Sequence, residues 1–382
     1  MLFRHWSYVS VFSAISAAWT LPNSTPSSLI VDKAPNETRP YVLLKNTGEA
    51  LALGANTLRF LVTGNVSEQS FAMVSHSSPD SSLLAVSPHI HRRTYENFFV
   101  NKGRIQMWAW QNETGGLEFS RVMTAGDYAV VSHHTLHTYQ FLEPDTQLTF
   151  VVQPGGFEDL FYVLAKGPFE SSSLTPFYPQ RFDVAAGAGD NAEVLSQLEK
   201  YDVYFQPQYN PTRKVTDGMT GPPGYNWHNG SNELAPDSQS TGFVAKDWSS
   251  KYLYTKGSYQ IVQPLATPKQ TDGNMTMGTI TLSKRFLNET IPVFKLPVHT
   301  SFQMTEGQAI FDVYGYEALP LVEGDTAFIP ANTSFSYYAT SPMTRFTYVS
   351  GGGNGLDAEL LRDAVEWEFA SYPVHLGYGS GH

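Results

Sequence analysis

The residues best suited to chemistry lie in the segment Pro88-His-Ile-His-Arg-Arg-Thr-Tyr-Glu-Asn-Phe98. In a β-strand, His89 and His91 point to the same face because side chains two residues apart do so. After a short bend, Glu96 lies in the next strand, and His137 lies in a strand further along the chain. Three imidazoles and one carboxylate that converge inside a barrel form a ligand set for a divalent transition metal. We therefore predict a metal site at these four residues.

Two further observations concern the choice of ligands. His133 competes with His137 as the third imidazole, because strand alternation would place both on one face. We prefer His137 for its spacing from Gly126. The sequence contains no cysteine, so no thiolate is available as a ligand or nucleophile. A site of three histidines and one glutamate accepts Cu, Fe, Mn, Ni or Co, and the sequence does not choose among them.

The segment from about residue 40 to 165 predicts a series of short strands, alternating in polarity and rich in β-branched or aromatic residues. The predicted strands are Tyr41–Leu44, Leu58–Val62, Ser70–Val74, Tyr95–Val100, Arg104–Trp110, Phe119–Met123, Tyr128–Ser132 and Leu148–Gln153. Turn residues separate them, as in a barrel or sandwich.

The strand pattern returns between Ser258 and Val349, and a helical tail is predicted at Gly355–Phe369. The two strand-rich halves share an internal repeat, in which Gly126-Asp127 corresponds to Gly324-Asp325. Between them, residues 168–250 are too long and too aromatic for a simple linker. We read them as an ordered connector packed on both domains, with one helix at Asn191–Tyr201.

These motifs resemble a known family. The spacing His-x-His-x4-Glu-x6-Gly, from His89 to Gly103, and Gly126-x10-His137 is similar to the cupin signature. Among cupins, the chain resembles the fungal quercetin 2,3-dioxygenases over nearly its whole mature length. The residues that carry this resemblance are Pro-His-Ile-His and Tyr-Glu-Asn-Phe within 88–98, Gly-Asp-Tyr at 126–128, His-Thr at 137–138 and Pro-Gly-Gly-Phe-Glu-Asp-Leu-Phe-Tyr at 154–162.

The resemblance implies an all-β chain of two cupin (jelly-roll β-barrel) domains with short helices. Residues 20–167 would be the N-terminal cupin domain with the metal site, and residues 251–382 the C-terminal cupin domain with its helical tail. The implied activity is copper-dependent cleavage of a flavonol's central ring with O₂, which releases carbon monoxide and leaves a depside. The implied cofactor is one divalent metal per chain, Cu(II) first and Fe, Mn or Ni as alternatives. Glu96 would be both a ligand and the base that takes the substrate's proton.

The substrate pocket departs from the family's pattern. In our alignment the family has a tyrosine at Leu58, which hydrogen-bonds the metal-bound carboxylate, and a glycine at Phe150. It has methionines at Val74 and Leu148. The substrate contacts predicted here are Phe98, Tyr139, Leu58, Val74 and Leu148. The reaction type is therefore better supported than the identity of the substrate.

The second barrel has lost the ligands. Alignment of Gly307 with Gly103 places Val293, Lys295 and Thr300 where the first two histidines and the glutamate stand, and Phe335 lies opposite His137. We expect no metal there. Of the remaining histidines, His76, His228 and His375 are isolated, and we expect them to be surface or structural residues.

The N-terminus predicts secretion. Residues 1–19 combine a short basic start, an apolar stretch and small residues at the end, as in a signal peptide. Eight Asn-x-Ser/Thr triplets, beginning at residues 23, 36, 65, 112, 229, 274, 288 and 332, predict N-glycosylation. We expect a secreted, extracellular protein without membrane association after signal removal, and a homodimer is possible.

The resemblance implies a small aromatic substrate and O₂ as partners. A formal net charge of −11, without a run of basic residues, argues against nucleic acid. Two alternative functions remain open at this point. One is an oxalate decarboxylase or oxidase, which would need a small polar pocket. The other is a non-catalytic small-molecule-binding bicupin, because a fold alone does not fix a function.

Overall fold

The computed structural model describes residues 28–79, 83–111, 118–179, 197–213, 219–220, 227–228 and 232–374. The predicted signal peptide lies outside them. So does most of the predicted helix Asn191–Tyr201, of which residues 197–200 are helical. Strands are numbered below in chain order.

The first barrel consists of two antiparallel sheets that enclose an apolar core. The eight-stranded sheet contains, in spatial order, β12 (Gly167–Pro168), β2 (Ala50–Leu53), β3 (Asn56–Val62), β4 (Ala72–Ser78), β11 (Thr146–Gln153), β6 (Tyr95–Lys102), β9 (Tyr128–Val131) and β15 (Gly242–Val244). The six-stranded sheet contains β13 (Tyr204–Phe205), β5 (His89–Ile90), β10 (Thr135–Phe141), β7 (Arg104–Gln111), β8 (Glu118–Thr124) and β14 (Met219–Thr220).

The second barrel repeats this plan. Its eight-stranded sheet contains β1 (Tyr41–Leu43), β23 (Thr326–Ile329), β20 (Thr300–Glu306), β25 (Thr344–Ser350), β18 (Thr276–Leu282), β17 (Gln260–Ala266), β16 (Lys251–Tyr254) and β26 (Val365–Trp367). Its four-stranded sheet contains β19 (Phe294–Lys295), β24 (Ser334–Ala339), β21 (Gln308–Val313) and β22 (Leu319–Val322). The predicted fold class, an all-β bicupin with few short helices, is confirmed.

The internal repeat is visible in the backbone. Gly126 and Gly324 adopt φ values of 96° and 92°, which favour glycine because a Cβ is strained there. Each glycine ends a strand-connecting turn and precedes an aspartate that leads into the next strand. Asp127 accepts a hydrogen bond from the backbone N–H of Lys246, and Asp325 accepts one from that of Lys45, both at 2.8 Å.

Those two bonds mark an exchange of strands between the barrels. Strand β1 precedes the first barrel in sequence but pairs with β23 of the second. Strand β15 precedes the second barrel but pairs with β9 of the first. Strand β1 thus lies in the predicted N-terminal domain, residues 20–167, but pairs in the large sheet of the second barrel. Each barrel contains an edge strand contributed by the segment that leads into the other.

The two barrels pack through the outer faces of their large sheets. A shared apolar cluster there combines residues of β3, β4 and β6 with residues of β18, β23 and β25. Side chains alternate along each strand, so the residues between them face the core of their own barrel. Arg345 of the second barrel also pairs with Asp247 of the connector at 2.8 Å.

The C-terminal tail differs from the prediction. Helix α1, at Asp159–Leu164, follows β11 in the first barrel. In the tail, the structure contains only a short helix, α2, at Leu356–Leu361 among the described residues. Beyond α2 the chain forms β26, which pairs with the edge of β16. The predicted helix to Phe369 is wrong because edge pairing with β16 gives Val365–Trp367 backbone partners that a continued helix would have to supply itself.

Candidate metal centre

Three neighbouring stretches of the first barrel bring the four predicted ligands together. His89 of β5 pairs directly with His137 of β10 in the smaller sheet. His91 follows β5 and shares the face of His89. Glu96 enters from β6 of the larger sheet, between β11 and β9. The site therefore lies where the two sheets meet.

The ligand atoms converge closely. One atom from each of the four side chains lies within 4.8 Å of all the others, and all four residues are buried. The Nε2 atoms of His89 and His91 lie 3.1 Å apart. The Oε2 atom of Glu96 lies 2.7 Å from Nε2 of His137 and 3.5 Å from Nε2 of His91.

The hydrogen bonds on the other side of each imidazole fit a metal. Each Nδ1 atom contacts a backbone carbonyl oxygen. The partner of His89 is Ser87 at 2.8 Å, the partner of His91 is Asp202 at 2.7 Å, and the partner of His137 is Thr135 in its own strand at 3.1 Å. A carbonyl oxygen accepts only, so each Nδ1 carries the proton and each neutral Nε2 carries a lone pair. Three lone pairs and a carboxylate then face one another, an arrangement that a cation stabilises.

Charge and burial act against each other in the cluster. Without a bound cation, burial opposes ionisation of Glu96, but the attraction of His91 and hydrogen bonds from the Nε2–H groups of His137 and His91 outweigh it and hold the pKa of Glu96 well below its usual value. A bound cation would replace those Nε2 hydrogens. Burial and repulsion from His137 and His91 lower the pKa of His89. For His91, burial is outweighed by the charge of Glu96, and the pKa is raised. A carboxylate held ionised in this way can bind a cation together with the three imidazoles.

Asp202, a connector residue, holds the bend between the ligand strands. Its carboxylate accepts hydrogen bonds from the backbone N–H groups of Arg92, Arg93 and Thr94 at 3.2, 2.8 and 2.9 Å. Its carbonyl oxygen is the partner of His91 Nδ1. Sequence reasoning missed this residue because it lies 111 positions from His91 and belongs to no motif.

The Pro-Gly-Gly-Phe-Glu motif has a packing role beside the cluster. The Phe157 ring packs edge-on against the His91 ring, with centroids 5.1 Å apart. Glu158 is buried and accepts hydrogen bonds from the backbone N–H groups of Gly64 and Gly156. It anchors the turn that precedes α1, and α1 contributes Leu160 and Phe161 to the wall of the adjoining cavity.

A cavity of about 570 Å³ opens onto the cluster, within the usual range for small-molecule sites. Glu96 and His89 line it, as do three of the predicted substrate contacts, Leu58, Phe98 and Tyr139. Most of the remaining wall is apolar: Leu84, Val86, Phe141, Phe150, Phe157, Leu164, Leu198, Val203 and Phe205. The cavity therefore suits an aromatic ligand.

Val74 and Leu148, the other two predicted contacts, do not line this cavity. Both are fully buried in the barrel core. Their cross-strand partners on the same face are larger: Phe150 stands opposite Val74, and His76 stands opposite Leu148. The rings of Phe150 and His76 line the cavity, so the shorter side chains of Val74 and Leu148 lie behind them, closer to the backbone.

His76 was interpreted as surface or structural, but it is 1% exposed and lines the cavity. Its Nδ1 lies 2.6 Å from the hydroxyl oxygen of Tyr139. The alternating pattern of β4 could have revealed it, since His76 shares the inward face with Val74.

His133 lies outside the ligand cluster. Residues 133 and 134 form a turn, with His134 at φ 60°, so strand alternation does not extend to His133. Its ring stacks on Tyr95 with centroids 3.8 Å apart. His228, the other isolated histidine in the described part of the chain, pairs with Asp127 at 2.7 Å.

The second barrel contains no such ligand cluster among the described residues. Its strand register corrects the alignment by one position, because Phe294, and not Val293, pairs with Phe335 as His89 pairs with His137. Phe294 precedes Thr300 by six positions, whereas His89 precedes Glu96 by seven, so the first two ligand positions correspond to Phe294 and Leu296. Val293 and Lys295 point outward and are exposed. Aromatic rings fill the interior instead.

Two quercetin 2,3-dioxygenases match the sequence of this chain. No family model matches the sequence. A quercetin 2,3-dioxygenase of Aspergillus japonicus is 38% identical over 351 residues, which cover 91% of this chain and 99% of that protein. A quercetin 2,3-dioxygenase of Bacillus subtilis is 30% identical over 171 residues, 44% of this chain and 45% of that protein. Among solved structures, an oxalate decarboxylase of Lactobacillus farciminis in complex with formate matches 80% of this chain and 83% of its own, with 12% identity and a TM-score of 0.48.

Proposed function

Because the chain belongs to the quercetin 2,3-dioxygenase family and is a ring-cleaving cupin dioxygenase, we propose that it opens the heterocyclic ring of a flavonol or a related enolisable phenolic. The reaction would consume O₂ and release CO. The observation that carries this proposal is the position of the ligand cluster, which opens onto an aromatic-walled cavity of about 570 Å³. An oxalate-type reaction would need a small polar pocket, and this wall is mainly apolar.

Glu96 supplies the proton acceptor. A bound divalent metal would provide Lewis acidity that lowers the pKa of the substrate's enol hydroxyl. Glu96 is ionised and lines the cavity, so it can take that proton. The resulting enolate is electron-rich and can react with O₂. His137 Nε2 lies 2.7 Å from the carboxylate, so both atoms would bind the same ion.

The walls orient the substrate and exclude water. Phe98 and Phe150 face each other across neighbouring strands, with ring centroids 6.3 Å apart. Phe161 packs edge-on against Phe150 at 5.8 Å. A planar aromatic substrate can lie against these rings, which bring no donor or acceptor of their own. Exclusion of water strengthens the electrostatic interactions of the enolate with the cluster.

The activity is tested by incubating purified, metal-loaded protein with flavonols in an O₂ electrode and measuring CO in the headspace. We expect equal amounts of O₂ consumed and CO released with at least one flavonol or related phenolic. Uptake of O₂ without CO would point to another oxidation, and absence of both across the panel would contradict the proposal.

We also propose that the metal is Cu(II). The donor set fits Cu but also Fe, Mn and Ni, so support for copper comes from the family resemblance. Elemental analysis of protein from its native source should find copper at about one ion per chain. A different metal that supports faster turnover would contradict this choice.

Secretion and glycosylation are further proposals. Five of the predicted acceptor asparagines fall in the described residues, and all five are exposed: Asn36, Asn65, Asn274, Asn288 and Asn332. No helix in the described part of the chain is long and apolar enough to cross a bilayer. The mature protein should begin near Trp19 and lose mass on deglycosylation. Recovery of an unprocessed, unglycosylated chain from the cytosol of its host would contradict this.

A further inference from the structure

A polar pair in the cavity wall has no part in the reaction described above. His76 lies on β4 of the larger sheet and Tyr139 on β10 of the smaller sheet, and both line the cavity. His76 Nδ1 and the Tyr139 hydroxyl oxygen are 2.6 Å apart, so the pair joins the two sheets. Burial lowers the pKa of His76 to about 3, and the imidazole is therefore neutral with one N–H.

The pair has more donors than its own hydrogen bond can use. A neutral imidazole carries one hydrogen and the hydroxyl carries another, but only one of them occupies the bond between Nδ1 and the oxygen. Nε2 of His76 is buried and has no partner. No further partner of Tyr139 exists among the described residues. One donor of the pair is therefore left over, whichever tautomer is present.

The burial of Nε2 decides which donor faces the cavity. If Tyr139 donated to Nδ1, the Nε2–H group would be buried without an acceptor, which proteins rarely tolerate. If His76 donates from Nδ1, only a lone pair is left unused at Nε2, and the Tyr139 O–H is free. The second arrangement is favoured, and it leaves a hydroxyl donor on the cavity wall.

The position of this donor relative to the cluster is set by the strand. Tyr139 lies two residues beyond His137 on β10 and shares its face, and two strand residues span about 7 Å. An aromatic substrate whose enol group lies at Glu96 would thus extend past Tyr139.

We propose that the Tyr139 hydroxyl, held by His76, donates a hydrogen bond to a substrate oxygen remote from the enol group. The cavity would then favour aromatic substrates that bear a second oxygen, such as a ring hydroxyl or carbonyl, over unsubstituted ones. This inference rests on the proposed function, because it takes the cavity as the substrate site.

The second barrel offers a matched comparison. Tyr337 follows Phe335 by two residues, as Tyr139 follows His137, and its hydroxyl donates to Gln260 Oε1 at 2.8 Å. Neither residue of that pair has a buried polar atom without a partner. The barrel without a ligand cluster thus satisfies its tyrosine internally, whereas the barrel with the cluster does not.

The test compares two flavonols that share the enol group. Dissociation constants of quercetin, which bears ring hydroxyls, and of 3-hydroxyflavone, which bears none, are measured without O₂ on the metal-loaded protein. The variants are Tyr139→Phe and, as the control, Tyr337→Phe. We expect Tyr139→Phe to reduce the preference for quercetin about 5- to 10-fold, the effect of one hydrogen bond. Tyr337→Phe should leave the preference unchanged and lower only the midpoint of unfolding.

The role of His76 as a positioning residue has its own readout. His76→Leu should reduce the preference for quercetin, because the hydroxyl is no longer held. His76→Gln should restore part of it, since its amide N–H can replace the imidazole donor. A purely structural bridge would change the stability of both variants without changing the ratio of the two dissociation constants.

Two outcomes would overturn the inference. One is an unchanged preference in Tyr139→Phe, including the case in which the affinities for both flavonols fall equally, which would place the enol end at Tyr139. The other is failure of the wild type to bind either flavonol. Failure of the proposed function would give a different result. Quercetin would then bind with a Tyr139-dependent preference, but the metal-loaded protein would consume no O₂ with it.

Discussion

In the proposed mechanism, Glu96 serves both metal binding and proton transfer. Its place in the cluster follows from local spacing, so the sequence alone predicts it together with His89, His91 and His137. The supporting residues could not be predicted in this way. Asp202 reaches the site through long-range pairing of which its neighbours in sequence give no sign, whereas the alternation of β4 places His76 on the inward face but does not show that it meets Tyr139. Single residues of the site are therefore predictable where a short motif fixes them.

Replacement of Glu96 by glutamine separates its two roles. Three imidazoles remain, so Glu96→Gln should retain much of the metal. Turnover should fall about 10²- to 10⁴-fold, because the amide cannot accept the substrate's proton. The measurement is kcat against metal content per chain. Wild-type turnover by a fully metallated variant would show that another group is the base.

The choice of the third histidine is tested by a matched pair of variants. His137→Ala should lower metal content and activity together, because it removes a ligand at 2.7 Å from Glu96. His133→Ala should retain metal, since His133 stacks on Tyr95 outside the cluster. Elemental analysis of both proteins decides between them. Metal loss in His133→Ala alone would reverse the assignment.

At the scale of elements, the period of two residues predicts most strands of the first barrel, because alternating side chains must divide between core and outer face. The same rule fails where an edge is involved. The tail at Val365–Trp367 pairs with β16, and β13, at Tyr204–Phe205, pairs with β5 beside the cluster. Short edge strands carry too few residues to show a period. The connector therefore contributes to the metal site in a way its composition does not reveal.

Asp202 tests that contribution. Asp202→Ala removes the acceptor of three backbone N–H groups in the ligand bend, and we expect metal affinity to fall about 10- to 100-fold. Asp202→Asn is the matched control. It keeps one side-chain oxygen and tolerates the φ of 66° at this position, so it should lose less affinity. Titration of metal-free protein with a competing chelator gives both constants. Equal affinities for wild type and Asp202→Ala would show that the bend needs no anchor.

At the scale of the whole molecule, the internal repeat predicts two barrels but not their exchange of edge strands. Sequence similarity between the halves reveals the repeat, whereas the partner of β1 depends on which sheet has a free edge nearby. Tyr41 shows the consequence. Its ring stacks on Phe328 of the second barrel at 5.4 Å, and its hydroxyl donates to the carbonyl of Leu61 in the first at 2.7 Å. The barrels are therefore linked through a shared residue.

Truncation of Tyr41 should destabilise both barrels. Tyr41 is fully buried, and we expect Tyr41→Ala to lower the free energy of unfolding by about 3–5 kcal/mol. Tyr314→Ala is the control, since that side chain is 77% exposed and its loss should change the free energy by less than about 0.5 kcal/mol. Urea denaturation followed by circular dichroism measures both. Two separate unfolding transitions, of which Tyr41→Ala shifts only one, would contradict the linkage between the barrels.

The central claim is that one metal ion, held by His89, His91, Glu96 and His137, supports ring cleavage while the second barrel is inactive. The most direct test titrates metal-free protein with Cu(II) and follows O₂ uptake on a flavonol as a function of metal bound per chain. The account predicts no uptake without metal and a linear rise that ends at about one ion per chain. Uptake by metal-free protein, or a rise that continues to about two ions per chain, would contradict it.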